Sequence, residues 1–177
     1  FRETFWDPNG DYLTRWTVTG TGETSLVSGG VAGGKFLRCG DNAGVDRVSL
    51  TYFRKIAFDP DKLYRMKVRV RRTAGAGALY CGIIGYDSAG AAVNPTGQDA
   101  HWVCAKGAGP STEWTTYIGY FKGHSAEGVW TACPSASSPA TLKAGVTQFA
   151  VKAYLNYNTA GIMDLDEIAI DILPSGA

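Results

Sequence analysis

Aromatic side chains beside polar ones are the residues of this sequence whose chemistry stands out. Trp102, Trp114 and Trp130 lie in or next to two long segments rich in Gly, Pro and Ser, residues 91–112 and 123–145, which are predicted to be loop-rich. An indole ring offers a broad apolar face with a polar edge, and such a face stacks on the C–H bonds of a sugar ring. Because long loops in compact domains are often functional, we predict a carbohydrate-binding surface here; the alternative is that these rings anchor loops. Trp6 and Trp16 are predicted to be core residues.

Polar residues that could bind sugar hydroxyls accompany these rings at two places. Gln98, Asp99 and His101 lie beside Trp102. Tyr154, Asn156 and Asn158 share with Lys152 the outward parity of the penultimate predicted strand. The predicted carbohydrate-binding residues are Trp102, Trp130, Trp114, Tyr154, Asn156, Asn158, His101 and Gln98.

Two acids interrupt the apolar C-terminal segment MDLDEIAIDI. Asp164 and Asp166 have the same parity as Ile168 and Ile170, so a regular strand would turn all four toward the core. An unpaired buried charge is strongly unfavourable, and a calcium ion bound by carboxylate and backbone oxygens would compensate it. Two alternatives are open: the acids lie in a solvated turn before the strand, or an arginine pairs with them.

Patterns that signal catalysis are missing from the sequence. Its two histidines, His101 and His124, both fall in predicted loops, and no zinc-protease, nucleophile-elbow or phosphate-loop motif occurs. Glycoside hydrolysis needs two facing carboxylates. Glu113 and Glu127 are candidates, but acids on a β surface are usually solvated, so we predict that the protein is not an enzyme.

The composition indicates a turn-rich β protein. The 177 residues include 23 Gly, and 12% of them are aromatic. Some ten short stretches alternate with period two between glycine turns, which is typical of a two-sheet antiparallel sandwich or a closed barrel. We predict an all-β fold, a two-sheet antiparallel β-sandwich of jelly-roll type, as one domain over residues 1–173 with a tail at 174–177.

The clearest amphipathic strand runs from Leu63 to Thr73. One parity is apolar and the other carries a basic stripe, namely Arg65, Lys67, Arg69 and Arg71. This stripe could meet an anionic polysaccharide. Alternatively, it is the wet face of a sheet or a guard against edge-to-edge pairing.

Net charge and the length of the apolar runs argue against two classes of partner, nucleic acids and membranes. Lys and Arg number 17 against 16 Asp and Glu, a net charge of +1 at pH 7, so we predict no nucleic-acid binding. Apolar runs are shorter than the ~20 residues that span a bilayer, so we predict no membrane insertion. The chain opens on Phe1 without a visible signal peptide, and we expect a fragment or a processed domain.

The four cysteines leave the redox state open. None has the C-x-x-C spacing of a zinc site. Cys81 lies in the apolar segment LYCGII and is predicted to be a buried thiol. Cys104 and Cys133 each flank a loop-like segment and could form a disulfide.

Five weak motifs occur in a fixed order along the chain: FWDPNGDYLTRWTVTGTGETSL, GGKFLRCG, KLYRMKVRVRRT, EWTTYIGYF and DLDEIAI. In this order they resemble the jelly-roll carbohydrate-binding modules that are appended to xylanases and related glycanases. The resemblance implies a non-catalytic module with a structural calcium bound by Asp166 and by the carbonyl of Lys35. The family's glutamate after an N-terminal Phe is replaced here by Trp6, and Glu23 is a candidate substitute.

A second resemblance concerns FDPDKLYRMKVRVRRT and LYCGIIGYDSAG. These segments look like sandwich domains of bacteriophage tail and tail-fibre proteins. That resemblance implies a virion structural or receptor-binding domain in a larger, homo-oligomeric parent protein. Together the two resemblances place the protein outside the cell or on a virion surface.

Overall fold

The computed structural model describes residues 1–5, 11–20, 23–31, 34–40 and 48–174. Trp6 and residues 175–177 of the predicted tail lie outside this part of the chain. Besides a short 3₁₀ helix, Asp11–Thr14, the described residues form thirteen strands. The strands are β1 Arg2–Glu3, β2 Trp16–Gly20, β3 Thr24–Gly30, β4 Gly34–Cys39, β5 Val48–Tyr52, β6 Ile56–Ala57, β7 Tyr64–Gly75, β8 Ala78–Tyr86, β9 His101–Ala108, β10 Thr115–Ser125, β11 Ala140–Lys143, β12 Gln148–Tyr157 and β13 Gly161–Ile172.

These strands form two sheets that pack face to face. Within the described ranges, the seven-stranded sheet has the order β11-β10-β7-β13-β4-β3, with β1 also on β13. The six-stranded sheet has the order β2-β5-β12-β8-β9, with β6 also on β12. The prediction of an antiparallel β-sandwich is confirmed, with one parallel pair, β10 and β11. The first described strand pairs with the last, as expected for a jelly roll.

The core lies between the sheets and is built from the alternation seen in the sequence. On β7 the inward residues Tyr64, Met66, Val68 and Val70 are at most 2% exposed. The ring of Tyr64 stacks on Phe121 of β10 with centroids 4.9 Å apart. Trp16 is also buried, which confirms its predicted place in the core.

The basic stripe on β7 faces solvent on the opposite side of the same strand. Since β7 lies between β10 and β13, the interpretation of the stripe as an edge guard of the folded sheet is wrong. Its arginines meet acids of β13: Arg65 pairs with Asp171 at 3.0 Å, and Arg71 with Asp164 at 2.8 Å. The stripe is therefore largely neutralised within the molecule.

A β-bulge in β13 overturns the parity prediction for its acids. The register with β7 shifts between Leu165 and Glu167, so the core-facing residues are Met163 and Leu165 before the bulge and Ile168 after it. An extra residue in one strand reverses which side chains face the core. The prediction that Asp164 faces the core with the isoleucines is therefore wrong.

The segment at 91–112, predicted to be rich in loops, contains the eight-residue strand β9. Both histidines lie in strands, His101 in β9 and His124 in β10, so the prediction that they lie in loops is wrong. β9 pairs antiparallel with β8. This pairing places Trp102 beside Tyr80.

All four cysteines are free thiols. Cys81 is buried, as predicted. The disulfide that the sequence allowed between Cys104 and Cys133 is not formed. Instead, Sγ of Cys104 contacts the carbonyl of Tyr117, and Sγ of Cys133 contacts that of Thr131.

Among the residues that the structure describes, no helix is long and apolar enough to cross a membrane.

Candidate functional site

A shallow groove of about 260 Å³ lies on the outer face of the six-stranded sheet. Strands β8, β9 and β12 present aromatic rings to it, and the segment before β9 forms its rim. We call it the aromatic groove. It is lined by Tyr80, Gly97, Gln98, Asp99, Trp102, Lys106, Tyr154 and Tyr157.

Four rings form the floor of the aromatic groove. Tyr80 stands edge-on to Trp102 with centroids 5.3 Å apart and is tilted against Tyr157 at 4.8 Å. Tyr154 lies 5.1 Å from Trp102 and stacks on Tyr157 at 5.7 Å. Edge-to-face and offset contacts of this kind stabilise aromatic clusters, so the floor is formed before any ligand arrives.

The four rings differ in what they present to solvent. Trp102 is 3% exposed and Tyr154 7%, whereas Tyr80 and Tyr157 are half-buried. A ligand therefore meets the tyrosines first, with the indole as their support.

Polar groups border this floor on one side. The hydroxyl of Tyr154 donates a 2.7 Å hydrogen bond to Asp99. The backbone N–H of Gln98 bonds to the carbonyl of Pro95 and fixes the turn that carries both rim residues. The groove thus combines flat apolar faces with an amide and a carboxylate at its edge.

Trp130 lies next to the groove rather than in it. The Lys106 ammonium, which lines the groove, sits 3.3 Å from the centroid of the Trp130 ring. The ring is 38% exposed. One indole face is thus covered by a cation, and Lys106 links Trp130 to the aromatic floor.

His101 points away from the groove, although its neighbour Trp102 lines it. His101 is fully buried, and its Nε2 accepts a 2.9 Å hydrogen bond from the backbone N–H of Lys143. Burial, with the charge of Lys143 acting in the same direction, lowers the pKa of His101 to about 4. The imidazole is therefore neutral at neutral pH and supports the fold behind the groove.

The two predicted asparagines do not line the groove. Asn156 is fully buried, and its amide donates to the carbonyls of Cys39 at 2.8 Å and Gly161 at 3.2 Å. The prediction that Asn156 faces outward is wrong, because the register of β12 shifts between Tyr154 and Tyr157. Asn158 is exposed in the turn after β12 with φ of 67°.

Trp114 lies on the other side of the molecule, before β10 of the seven-stranded sheet. Its ring is edge-on to Phe36 at 5.4 Å, and the guanidinium of Arg71 lies 4.4 Å from its centroid. The structure therefore separates Trp114 from Trp102. Of the predicted set, Trp102, Tyr154 and Gln98 meet in the groove, with Trp130 beside it.

Three groove residues were missed by the sequence interpretation: Tyr80, Tyr157 and Lys106. Tyr80 lies in a strand that is apolar on both parities, which concealed its outward direction. Tyr157 follows the bulge in β12. Lys106 could have been found, since it follows Trp102 by four residues and therefore shares its parity in a strand.

The predicted calcium ligands meet nitrogen donors in the structure. Both oxygens of Asp164 are bound by guanidinium groups, with Arg38 at 2.8 Å and Arg71 at 2.8 Å. Asp166 accepts bonds from Val31 N–H at 2.9 Å and from Arg69 at 3.1 Å. Arginine pairing, one of the alternatives that the sequence left open, is thus observed for both buried acids.

Two of the four predicted calcium ligands, the Lys35 carbonyl and Asp166, lie close to the same residue, Gly30. A Cβ atom added at Gly30 would clash with the Lys35 carbonyl oxygen and would lie 2.7 Å from Oδ1 of Asp166. Glu23 is an exposed residue just before β3. Among the described residues, no group of three or more His, Cys, Asp and Glu is arranged to hold a metal ion.

A larger hollow, of about 740 Å³, lies at the end of the sandwich. Its lining includes Lys62, Lys122 and Pro139. None of the described residues that line it is aromatic. The smaller aromatic groove is therefore the better candidate for ligand recognition.

Comparison with known proteins supports the fold. No protein-family model and no curated protein matches this chain. Among solved structures, it is similar to the CBM22-1 xylan-binding domain from Paenibacillus barcinonensis Xyn10C (TM-score 0.58, 11% identity, covering 99% of this chain and 95% of that one). It is also similar to TmCBM61, solved with β-1,4-galactotriose (TM-score 0.51, 10% identity, covering 95% and 98%).

A third similar structure is the enzymatically active domain of tailspike protein 4 from bacteriophage CBA120 (TM-score 0.58, 10% identity). The match covers 96% of this chain but 20% of the tailspike chain. At such identities the likeness establishes the fold, which is that of the jelly-roll carbohydrate-binding modules.

Proposed function

We propose that this chain is a carbohydrate-binding module that holds a glycan in the aromatic groove without altering it. The observation that carries the proposal is the floor of four rings bordered by Gln98 and Asp99 on the outer face of the six-stranded sheet. Its structural neighbours include a xylan-binding domain and a module solved with a galactotriose. A surface of this kind suits a ligand with flat apolar faces and many hydroxyls.

The proposed mechanism is stacking with directed hydrogen bonds. A sugar ring lies on the half-buried tyrosines, Tyr80 and Tyr157, while Trp102 supports them from beneath. Gln98 and Asp99 bind hydroxyls at the rim. Because Asp99 is already held by the hydroxyl of Tyr154, little ordering is needed on binding, which favours affinity.

Absence of catalysis is part of the proposal. Retaining and inverting glycosidases use two carboxyl groups that flank the scissile bond. Among the described residues that line the groove, one carboxylate is present, that of Asp99. A bound oligosaccharide is therefore expected to be recovered intact after prolonged incubation.

A glycan array followed by calorimetry on the best ligand tests the proposal. Tyr80→Ala should weaken binding about tenfold, or about 1.4 kcal/mol, and Trp102→Ala should weaken it at least as much. Tyr120→Ala is the matched control, because Tyr120 is a half-buried tyrosine of β10 on the seven-stranded sheet. Absence of binding to every glycan, or equal effects of Tyr80→Ala and Tyr120→Ala, would contradict the proposal.

A second candidate function is assembly in a virion, favoured by the fold match to a tailspike domain. Exposed apolar side chains, such as Leu13 at 60% and Phe53 at 54%, would then contact neighbouring copies or domains. Light scattering distinguishes the two functions. Self-association without glycan binding favours assembly, and a glycan-binding monomer favours the module. Under either function we propose that the protein acts outside a cell or on a virion surface.

A structural calcium at Asp166 and the Lys35 carbonyl is a separate proposal, supported by their convergence beside Gly30. A calcium ion that binds only the folded state would raise the melting temperature, and EDTA would lower it. A melting temperature that EDTA leaves unchanged would show that Arg69, which lies 3.1 Å from Asp166, is sufficient to neutralise this acid.

A further inference from the structure

Two ammonium groups lie beside the aromatic groove, where each can donate to a ligand and can attract a negative charge. The Lys106 ammonium lines the groove and lies over Trp130 at 3.3 Å. A second ammonium, that of Lys152, lies 4.9 Å from the centroid of the Tyr154 ring. It also donates hydrogen bonds to Ser49 at 2.7 Å and Thr51 at 3.0 Å. One cation therefore lines the groove, and a second lies beside one of its rings.

Among the described residues that line the groove, Asp99 supplies the one carboxylate. It accepts a hydrogen bond from the Tyr154 hydroxyl. Among the ion pairs between described residues, none involves Lys106. Its charge instead faces the π surface of Trp130, a partner that carries no formal negative charge. An anionic ligand could therefore gain a charge-assisted contact with Lys106 without breaking an internal salt bridge.

The arginines of the opposite face differ in their surroundings. There, the basic stripe faces acids of β13, as in the pairs Arg65–Asp171 and Arg71–Asp164. Lys67 of the stripe, like Lys106, takes part in none of the ion pairs between described residues. Lys106 differs from Lys67 in lining the aromatic groove.

From these contacts we infer that the groove recognises an acidic polysaccharide, one whose sugar rings bear carboxylate or sulfate groups. A sugar ring stacks on Tyr80 and Tyr157, and its anionic substituent meets the ammonium of Lys106. This inference rests on the proposed function, since it names the class of glycan that the same groove binds.

Polygalacturonate and its carboxyl-reduced counterpart, a neutral polymer with the same backbone, provide the test. We expect the acidic polymer to bind about tenfold more tightly at low salt, with the preference decreasing as salt rises. Dextran sulfate against dextran distinguishes sulfate from carboxylate as the recognised group. Affinity electrophoresis measures all four polymers under one condition.

Two lysine variants make the test specific. Lys106→Met removes the charge but keeps an apolar stem on Trp130, so the preference for the acidic polymer should disappear. Lys67→Met is the matched control, because Lys67 is also half-buried and lies on the outer face of the seven-stranded sheet. It should leave the preference intact.

Three outcomes would overturn the inference. Equal binding of the acidic and reduced polymers would do so while leaving the proposed function standing. An equal loss of preference in Lys106→Met and Lys67→Met would show general charge attraction instead of recognition in the groove. No binding to any of the four polymers would also overturn it, and the array of neutral glycans then decides separately whether the groove binds carbohydrate at all.

Discussion

The two outer faces of this sandwich solve the problem of polar residues on a sheet in opposite ways. On the seven-stranded sheet, buried acids and arginines neutralise one another, with Asp164 held by both Arg38 and Arg71. On the six-stranded sheet, rings pack against rings, and Lys106 lies on an indole instead of a carboxylate. The arginines of the first face thus already have partners within the molecule. The second face presents aromatic rings and a cation to solvent, and we therefore assign ligand recognition to it.

The largest expected effect is a loss of unfolding free energy at low pH, caused by His101, which is buried behind the recognition face. Its pKa is lowered from 6.5 to about 4 in the folded state, so the unfolded chain binds the proton first as the pH falls. Stability should therefore be full above pH 6.5 and should decrease by about 3 kcal/mol as the pH falls to about 4. Urea unfolding across this pH range measures the loss.

The variant His101→Gln distinguishes the contribution of His101 to acid sensitivity from that of other titratable groups. In His101→Gln an amide oxygen can still accept the Lys143 N–H, so the decrease with falling pH should be shallower than in the parent. A parent slope in His101→Gln would mean that groups other than His101 cause the acid sensitivity.

The second effect tests whether the ion-paired face is mainly structural. Asp164→Asn leaves Arg38 and Arg71 without their shared carboxylate, and we expect a loss of about 2 kcal/mol in unfolding free energy. Asp171→Asn is the control, since Asp171 is 44% exposed and pairs with Arg65 at 3.0 Å. It should lose less than about 1 kcal/mol. Unchanged glycan affinity in both variants would show that the two faces are functionally distinct. Weaker binding in Asp164→Asn would show that the ion-paired face also contributes to recognition.

The smallest effect concerns the rim of the groove. Tyr154→Phe removes the hydroxyl that holds Asp99 at 2.7 Å but keeps the ring. We expect about a threefold loss of glycan affinity, corresponding to less than about 1 kcal/mol. Asp99→Asn retains an acceptor for the same hydroxyl and serves as the companion variant in calorimetry. An unchanged affinity in Tyr154→Phe would mean that the rim does not need this bond.

Regular alternation allowed much of the fold to be predicted from sequence. The strand β7 alternates without interruption, and its inward and outward residues follow the prediction. A jelly roll brings its first and last strands together, and β1 pairs with β13. β9 was not predicted as a full strand, because glycines, a proline and a histidine surround a short apolar core in that segment.

Errors in the candidate site arise where single residues interrupt a strand. The register shift in β12 buries Asn156, which has φ of 56°. The bulge at Asp166 turns Asp164 toward Arg71 instead of the core. One inserted residue reverses the facing of every residue beyond it, and neither sequence segment carries a glycine or proline that signals such an insertion. Pairing partners, which decide these registers, are distant in the chain.

The pairing of β7 with β13 can form only late in synthesis, because β13 lies near the C-terminal end of the chain. Arg71 and Asp164 are 93 positions apart, and contacts between such distant segments slow folding because a long loop must close first. A chain made from its N-terminus completes β7 long before β13 exists. In that interval Arg65, Lys67, Arg69 and Arg71 are an unmatched row of like charges, which repels equivalent strands of other nascent chains. We therefore expect the stripe to disfavour aggregation of the growing chain, before its arginines pair with the acids of β13.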